Sequence, residues 1–126
     1  MSWLLVFVGG GTGAALRQGV NLAVFRLLGP GWPAGTFIVN VAGSLAMGLL
    51  IGWLARHDVL SGGGSNELRL ALTTGLLGGF TTFSAFSLDA VALWERGAIA
   101  GAAIYVLASV VLSIVAVFVG LSLARP

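Results

Sequence analysis

The segment from residue 67 to residue 94 reads ELRLALTTGLLGGFTTFSAFSLDAVALW. It is about 28 residues long, whereas a straight helix crosses a bilayer in about 20. A glycine pair, Gly78-Gly79, and the hydroxyls of Thr81 and Thr82 stand at its centre. Adjacent glycines and threonines favour a break that frees backbone carbonyls, and unwound backbone at membrane depth needs protein, an ion or water to satisfy it. The segment therefore predicts a membrane helix that is broken near Gly78–Thr82.

The composition of the whole chain is typical of a membrane protein. Of its 126 residues, 58% are hydrophobic and 8% are charged, whereas soluble domains carry about 25% charged residues. Such a chain cannot cover a water-facing surface with polar groups, which excludes a soluble enzyme and a disordered tail. The lack of cysteine excludes a disulfide scaffold, and the single histidine, His57, has no partners for zinc. Six scattered arginines are too few for a nucleic-acid surface.

Polar connections divide the chain into four apolar segments, each long enough to span a membrane. They cover residues 3–28, 33–55, 67–94 and 98–123. The four tryptophans lie near the ends of these segments, where aromatic side chains collect at membrane interfaces. The sequence therefore predicts an all-α integral membrane protein in which residues 1–126 form a single domain of four transmembrane helices.

The arginines hardly specify an orientation in the membrane. Four spans place both termini on one side with Arg56, Arg69 and Arg125, and leave Arg26 and Arg96 on the other. The positive-inside rule normally needs a clear excess. Insertion in both orientations, and with it an antiparallel homodimer, is therefore one interpretation; the other is that Arg56 and Arg69 suffice to keep the termini cytoplasmic. Charge alone leaves both open.

Many of the 20 glycines lie inside the predicted spans. Pairs spaced four residues apart occur at Gly9/Gly13, Gly48/Gly52, Gly75/Gly79 and Gly97/Gly101. Such pairs predict helices that approach each other closely, although some pairs arise by chance in a chain so rich in glycine.

Two polar side chains lie deep in the first two spans, where polar groups face the interior of a bundle by default. Arg17 could attract an anion, hold a backbone carbonyl or mark an early end of the first helix. Asn40 lies between Thr36 and Ser44 on one helical face, and its amide offers two donors to an anion. The alternative is that Asn40 serves only as a hydrogen-bond partner between helices.

Two rows of side chains extend this polar interior along the third and fourth spans. They consist of Phe80, Phe83 and Phe86 beside Ser84 and Ser87, and of Tyr105, Ser109 and Ser113. Ring edges carry partial positive charge and can face an anion, whereas the hydroxyls could line a pore or bond to carbonyls four residues earlier. The first, second and fourth spans carry no acidic residue, which pumps and cation exporters generally need. This chemistry suits the passive movement of a small anion.

The central motif, GGFTTFSAFS at residues 78–87, resembles the signature of the Fluc (CrcB) family of fluoride channels. Three further stretches resemble the same family: GWPAGTFIVNVAGS at residues 31–44, GAALR at residues 13–17, and the pair Tyr105 and Ser109. The resemblance covers essentially the whole chain, and the two long motifs together are specific.

The resemblance implies an antiparallel, dual-topology homodimer with two fluoride pores and one structural, non-transported Na⁺ at the interface. Backbone carbonyls of Gly78 and Thr81 from both subunits would hold the Na⁺. For the fluoride pore, the resemblance assigns Asn40, the aromatic pair Phe83 and Phe86, and the polar track Tyr105, Ser109 and Ser113. Arg17 matches the arginine that the family carries in its first span. Asp89 stands where relatives also carry glutamate, and it could pair with an arginine or lie at the rim of a vestibule.

The function implied by the resemblance is passive export of fluoride through a prokaryotic cell membrane, which lowers cytoplasmic fluoride and relieves its toxicity. It implies no enzymatic reaction, no organic cofactor and no nucleic-acid partner. A small multidrug exporter is an alternative four-span protein, but it requires a glutamate in the first span, where the only interior charge here is Arg17. A further alternative is a non-transporting assembly protein whose glycine-rich helices only pack, for which Asn40→Ala would be silent.

Overall fold

A computed structural model of the chain describes residues 1–57 and 63–125. The described residues form four long helical stretches, the third of which is composite. The elements are α1 (Ser2–Leu28), α2 (Ala34–Arg56), α3 (Gly63–Leu70), a π-helical segment (Ala71–Leu77), α4 (Gly78–Phe80), α5 (Phe83–Glu95) and α6 (Ile99–Ala124). The composite stretch from α3 to α5 is called the third helix below.

The helices lie close to the predicted spans, but they do not all have the same membrane character. Within the described residues, three helical stretches are long and apolar enough to cross a membrane: Ala34–Arg56, Asn66–Glu95 and Ile99–Ala124. With 27 residues α1 is also long enough. Its Arg17, Gln18 and Asn21 lower its hydropathy, however. A membrane crossing by α1 therefore stays a prediction.

The predicted interruption of the third helix is confirmed. α4 ends at Phe80 and α5 begins at Phe83. The two residues between them are extended: Thr81 has φ −82° and ψ 159°, and Thr82 has φ −153° and ψ 121°. These two residues are called the break, and there the backbone cannot make the hydrogen bonds of a continuous helix.

The π-helical segment before the break was not predicted. Its sequence, ALTTGLL, has nothing that separates it from an α-helical one. Its buried Gly75 packs against α1, where a Cβ added to Gly75 would lie 3.3 Å from the Cα of Val6. Because this wider helix depends on a neighbouring helix, local sequence patterns carry no signal for it.

Two glycine-lined contacts hold the helices of the chain together. Between α1 and the third helix, a Cβ added to Gly13 would lie 2.7 Å from the backbone nitrogen of Phe80. Between α2 and α6, a Cβ added to Gly120 would lie 2.7 Å from the backbone nitrogen of Leu49. Glycine is needed at these positions because the backbones meet directly. Gly101, by contrast, faces open space apart from Ala98 at 3.7 Å.

The buried core is small and lies beside the break. Phe86, Leu93, Ala102 and Tyr105 form one cluster between α5 and α6. Many large apolar side chains elsewhere remain exposed, among them Trp3, Phe7, Leu107 and Phe118. An outer surface of this kind suits lipid or a second subunit more than water.

Candidate functional site

Asn40 of α2 binds both backbone groups of Thr82 in the break. Its Nδ2 donates to the Thr82 carbonyl oxygen at 2.9 Å, and the Thr82 backbone N–H donates to its Oδ1 at 2.8 Å. The side-chain amide thus supplies the hydrogen bonds that a backbone neighbour would supply in a regular element. The expected inter-helix role of Asn40 is therefore present, and it acts on the backbone at the point where the third helix is interrupted.

Thr81 and Thr82 make hydrogen bonds with backbone groups at the two helix ends that flank the break. The Thr82 hydroxyl accepts from the Ala85 backbone N–H at 3.2 Å and so caps α5 at its N-terminus. The Thr81 hydroxyl and backbone N–H both donate to the Leu77 carbonyl, at 2.9 and 3.0 Å. Each half of the third helix is thereby terminated by the residues of the break.

Arg17 reaches the break from α1. Its Nη1 donates to the Thr81 carbonyl oxygen at 3.3 Å. The interpretation of Arg17 as an early end of the first helix is wrong, because α1 continues to Leu28. Of the remaining alternatives, the structure contains the carbonyl contact. The guanidinium brings a positive charge close to the interrupted backbone, where it offsets the partial negative charge at the C-terminal end of α4.

Two carbonyls near the break lose their usual helical partners. In a continuous α-helix the Thr82 N–H would bond to the Gly78 carbonyl, and the Ala85 N–H to the Thr81 carbonyl. Here the first donates to Asn40 Oδ1 and the second to Thr82 Oγ1. Carbonyls released at half-helix ends are suitable ligands for Na⁺. The donor chemistry at Gly78 and Thr81 therefore fits such an ion, although Arg17 already shares the Thr81 oxygen.

A pocket of about 290 Å³ opens beside the break. It is called the break pocket, and it is lined by Asn40, Ser44, Thr81, Thr82, Phe83, Phe86, Ser109, Val110, Ser113 and Ile114. Helices α2, α5 and α6 and the break all contribute to it. It brings together five of the six residues expected along a fluoride pore, and its lining carries no formally charged side chain.

Two phenylalanines, Phe83 and Phe86, form an aromatic pair in the lining of the break pocket. The ring centroids of Phe83 and Phe86 are 5.4 Å apart at an interplanar angle of 50°. The Phe83 side chain is 78% exposed, whereas Phe86 is 8% exposed and belongs to the core. One ring is therefore fixed by packing, and the other is available to a further surface.

Ser109 contributes a hydroxyl that protein groups do not use. Its Oγ is buried and has no hydrogen-bond partner among the described residues, and the residue is only 4% exposed. The alternative that this serine bonds to the carbonyl four residues earlier is therefore not what the structure contains. A buried hydroxyl without a partner is costly, so this donor in the pocket lining is available to a ligand or water.

Tyr105 is the one predicted pore residue that does not line the break pocket. It is fully buried, and its ring packs behind Phe86 with 5.2 Å between centroids. Its hydroxyl donates to Asp89 Oδ2 at 3.2 Å. Asp89, for which an arginine partner or a vestibule rim was considered, lines a larger cavity of about 510 Å³ together with Thr36 and Arg96. This cavity is called the Asp89 cavity.

Sequence reasoning missed several contributors to the site. Thr82 was placed at the predicted break, but the way in which its backbone and side chain organise the break was not foreseen. The apolar side chains of Val110 and Ile114 also line the break pocket. A usable signal existed only for Thr82, which precedes α5 as threonine often does at a helix N-terminus.

Comparison with known proteins assigns this architecture to a family. A sequence profile of the family described as CrcB-like protein, Camphor Resistance (CrcB), matches residues 4–121. The chain belongs to the CrcB family. Its relatives in this family match it over nearly their whole length.

The chain is 57% identical over 122 residues to a Mesorhizobium japonicum protein, covering 97% of this chain and 94% of the relative. It is 54% identical over 125 residues to a Rhodopseudomonas palustris protein, covering 99% and 98%. It is 58% identical over 125 residues to a Methylobacterium nodulans protein, covering 99% and 97%. Each relative is named fluoride-specific ion channel FluC.

Family and structure together define the class of protein. The CrcB family is one of ion channels, so the chain is an ion channel and not an enzyme. Its membrane-spanning stretches make it a multi-pass protein of the cell membrane.

Proposed function

We propose that the chain is a fluoride-specific channel that lets F⁻ leave the cytoplasm passively and so relieves fluoride toxicity. The observation that carries the proposal is the break pocket, where an amide, an unpartnered buried hydroxyl and phenylalanine rings meet. These groups offer partial positive charge without a full charge in the lining. The names of the relatives support fluoride as the anion.

The proposed mechanism replaces water around the anion with weak donors. The Asn40 amide has two N–H groups, and one of them is used by the Thr82 carbonyl, which leaves the other for an anion. Ser109 supplies its hydroxyl, and Phe83 and Phe86 supply ring edges. Conduction requires binding that is strong enough for entry and weak enough for exit. Neutral donors meet this requirement better than a fixed cation, which would hold the anion.

The path of the anion would continue past the Phe86 ring towards Tyr105 and the Asp89 cavity. Tyr105 packs directly against Phe86, and its hydroxyl lies within hydrogen-bond distance of Asp89. Ser113 lies one helical turn beyond Ser109 along α6, in the direction away from Tyr105. The polar track would then run along one face of α6, with Phe86 at its narrowest part.

A second copy of the chain would complete the pore. Phe83 lines the break pocket and yet is largely exposed, so the pocket reaches the surface of the chain, where a second copy could cover it. The nearly even distribution of arginine permits both orientations in the membrane, which allows an antiparallel homodimer. A two-fold axis repeats every feature, so such a dimer would contain two pores.

We further propose a structural Na⁺ at the dimer interface, held by the carbonyls of Gly78 and Thr81 from both subunits. When bound, the ion would supply positive charge that keeps the two interrupted backbones together. The release of these two carbonyls from helical pairing supports this assignment.

Anion efflux from liposomes tests the proposed function. Purified protein would be reconstituted with Na⁺ present, and fluoride and chloride efflux would be compared with ion-selective electrodes. We expect rapid fluoride efflux and retained chloride for the unmodified chain. Asn40→Asp places a carboxylate against the anion and should abolish fluoride efflux, whereas the matched Asn66→Asp, at an exposed residue of α3, should not. A folded dimer that passes no fluoride would refute the proposed function and favour the packing-only alternative.

A further inference from the structure

The break has no residue that forces it locally. The chain contains three prolines, and none lies between residues 67 and 94. Thr81 and Thr82 lie in the extended region of backbone conformation, which any residue can adopt, so neither residue is confined to it by its own chemistry. A continuous helix would satisfy the backbone groups that the break diverts, so the interrupted form must be stabilised by contacts that a continuous helix lacks. The Thr82 cap on α5 is one such contact within the third helix, and the others come from neighbouring helices.

Asn40 is the outside partner that pairs with both backbone groups of Thr82. It is well placed for this because α2 runs directly along the break. A Cβ added to Gly43 would meet the Thr81 side chain and would lie 3.3 Å from the Phe80 ring. The missing side chain at Gly43 thus brings the rigid helix that carries Asn40 into contact with the break.

The same amide touches two different sites. On one side Asn40 lines the break pocket together with Ser109. On the other side its Oδ1 takes the Thr82 N–H, which is the donor that would otherwise occupy the Gly78 carbonyl. The availability of the Gly78 oxygen therefore depends on Asn40, even though Asn40 is not one of the proposed cation ligands.

From this arrangement we infer that Asn40 is a positioning residue that couples the anion pocket to the carbonyl pair of Gly78 and Thr81. Loss of its amide would impair cation binding as well as anion passage. The inference rests on the proposed function. It goes beyond a pore-lining role, for which the cation site would be indifferent to residue 40.

The test compares Asn40 with another residue of the same pocket. Ser109 lines the break pocket, and no contact joins it to the break residues in the hydrogen-bond network above. Asn40→Ala and Ser109→Ala would be purified with the unmodified chain. Thermal unfolding would be followed at rising NaCl, with N-methyl-D-glucamine chloride keeping the ionic strength constant. Fluoride efflux would be recorded in parallel.

We expect Na⁺ to raise the unfolding temperature of the unmodified chain and of Ser109→Ala with the same half-saturating concentration. Asn40→Ala should lose the shift or need at least about tenfold more Na⁺, which corresponds to about 1.4 kcal/mol. An Asn40→Ala protein that loses fluoride efflux but keeps the normal Na⁺ response would overturn the inference. So would an unmodified chain whose stability ignores Na⁺.

Asn40→Leu keeps the test decisive if Asn40→Ala does not fold. Leucine is similar in volume but cannot accept from the Thr82 N–H, so its Na⁺ requirement should rise as in Asn40→Ala. Asn40→Asp is the matched control, because its carboxylate still accepts from the Thr82 N–H and its Na⁺ requirement should stay close to that of the unmodified chain. An unchanged Na⁺ requirement in Asn40→Leu would contradict the coupling. Absence of fluoride efflux from the unmodified chain, with a normal Na⁺ response, would instead refute the proposed function and leave the coupling measurable.

Discussion

The two glycine-lined contacts of the molecule have the same packing chemistry but different outcomes. α2 and α6 are continuous helices, and their backbone hydrogen bonds are satisfied within each helix. The partner of α1 is a helix that widens into a π-helical segment and then breaks at Thr81 and Thr82. Glycine therefore permits close approach in both contacts, but it does not by itself interrupt a helix.

What distinguishes the interrupted contact is the set of side chains that reach its backbone. Arg17 and Asn40 come from two other helices and bind Thr81 and Thr82. They replace hydrogen bonds that a continuous helix would make internally. The candidate site lies where side chains from other helices make hydrogen bonds with the backbone of the break. Unwound backbone inside a membrane requires such partners.

The largest effect is expected from a bulky residue in the contact between α1 and the third helix. A side chain at Gly13 would collide with the backbone of Leu76 and Phe80, which cannot move without displacing the break. Gly13→Leu should destabilise the subunit by about 3 kcal/mol or prevent folding. Gly11→Leu is the matched control because nothing lies within 4 Å of a Cβ at Gly11. Thermal unfolding and size-exclusion profiles would compare the two, and equal stability would refute this account of the packing.

A smaller effect is expected in the contact between the continuous helices. The Cβ of Gly48→Ala would lie 3.0 Å from the Leu121 backbone nitrogen and closer still to the Val117 carbonyl. We expect a loss of about 2 kcal/mol in unfolding free energy, with the Na⁺ response unchanged because the break is not touched. Gly101→Ala should be neutral or slightly stabilising, since its nearest contact is 3.7 Å away. A changed Na⁺ response in Gly48→Ala would show that the two contacts are not independent.

Ser109→Ala should change stability and transport in opposite directions. It removes a buried hydroxyl that has no partner among the described residues, so the unfolding free energy should rise by about 1 kcal/mol. Fluoride efflux should fall by about tenfold because one donor to the anion is lost. Ser122→Ala, at an exposed position of the same helix, should alter neither. Unchanged efflux in Ser109→Ala would remove this serine from the path.

The smallest effect is expected from the charge of Arg17. Arg17→Gln keeps a neutral donor for the Thr81 carbonyl but removes a cation that would repel Na⁺ bound to the same oxygen. Two unit charges about 4 Å apart interact by about 1 kcal/mol in water, so the half-saturating Na⁺ concentration should fall by about fivefold. Arg26→Gln, exposed in the last turn of α1, should leave it unchanged. A higher Na⁺ requirement in Arg17→Gln would mean that Arg17 helps to build the site.

The sequence by itself determined the membrane character, the approximate helix boundaries and the position of the break. These follow from composition and from short-range patterns, since long apolar segments and a central glycine and threonine cluster are visible without a structure. It also supplied most of the pocket lining. Asn40, Ser109 and Ser113 are polar residues within apolar segments, and such residues face the protein interior by default.

Only the tertiary structure decided how the break is held and which residues meet around it. Asn40 and Thr82 are 42 residues apart, and Arg17 and Thr81 are 64 residues apart. No local pattern reports contacts over such separations. The π-helical segment and the position of Tyr105 behind Phe86 have the same origin. In each case a contact between helices stabilises the observed arrangement, and such a contact exists only once the chain has folded.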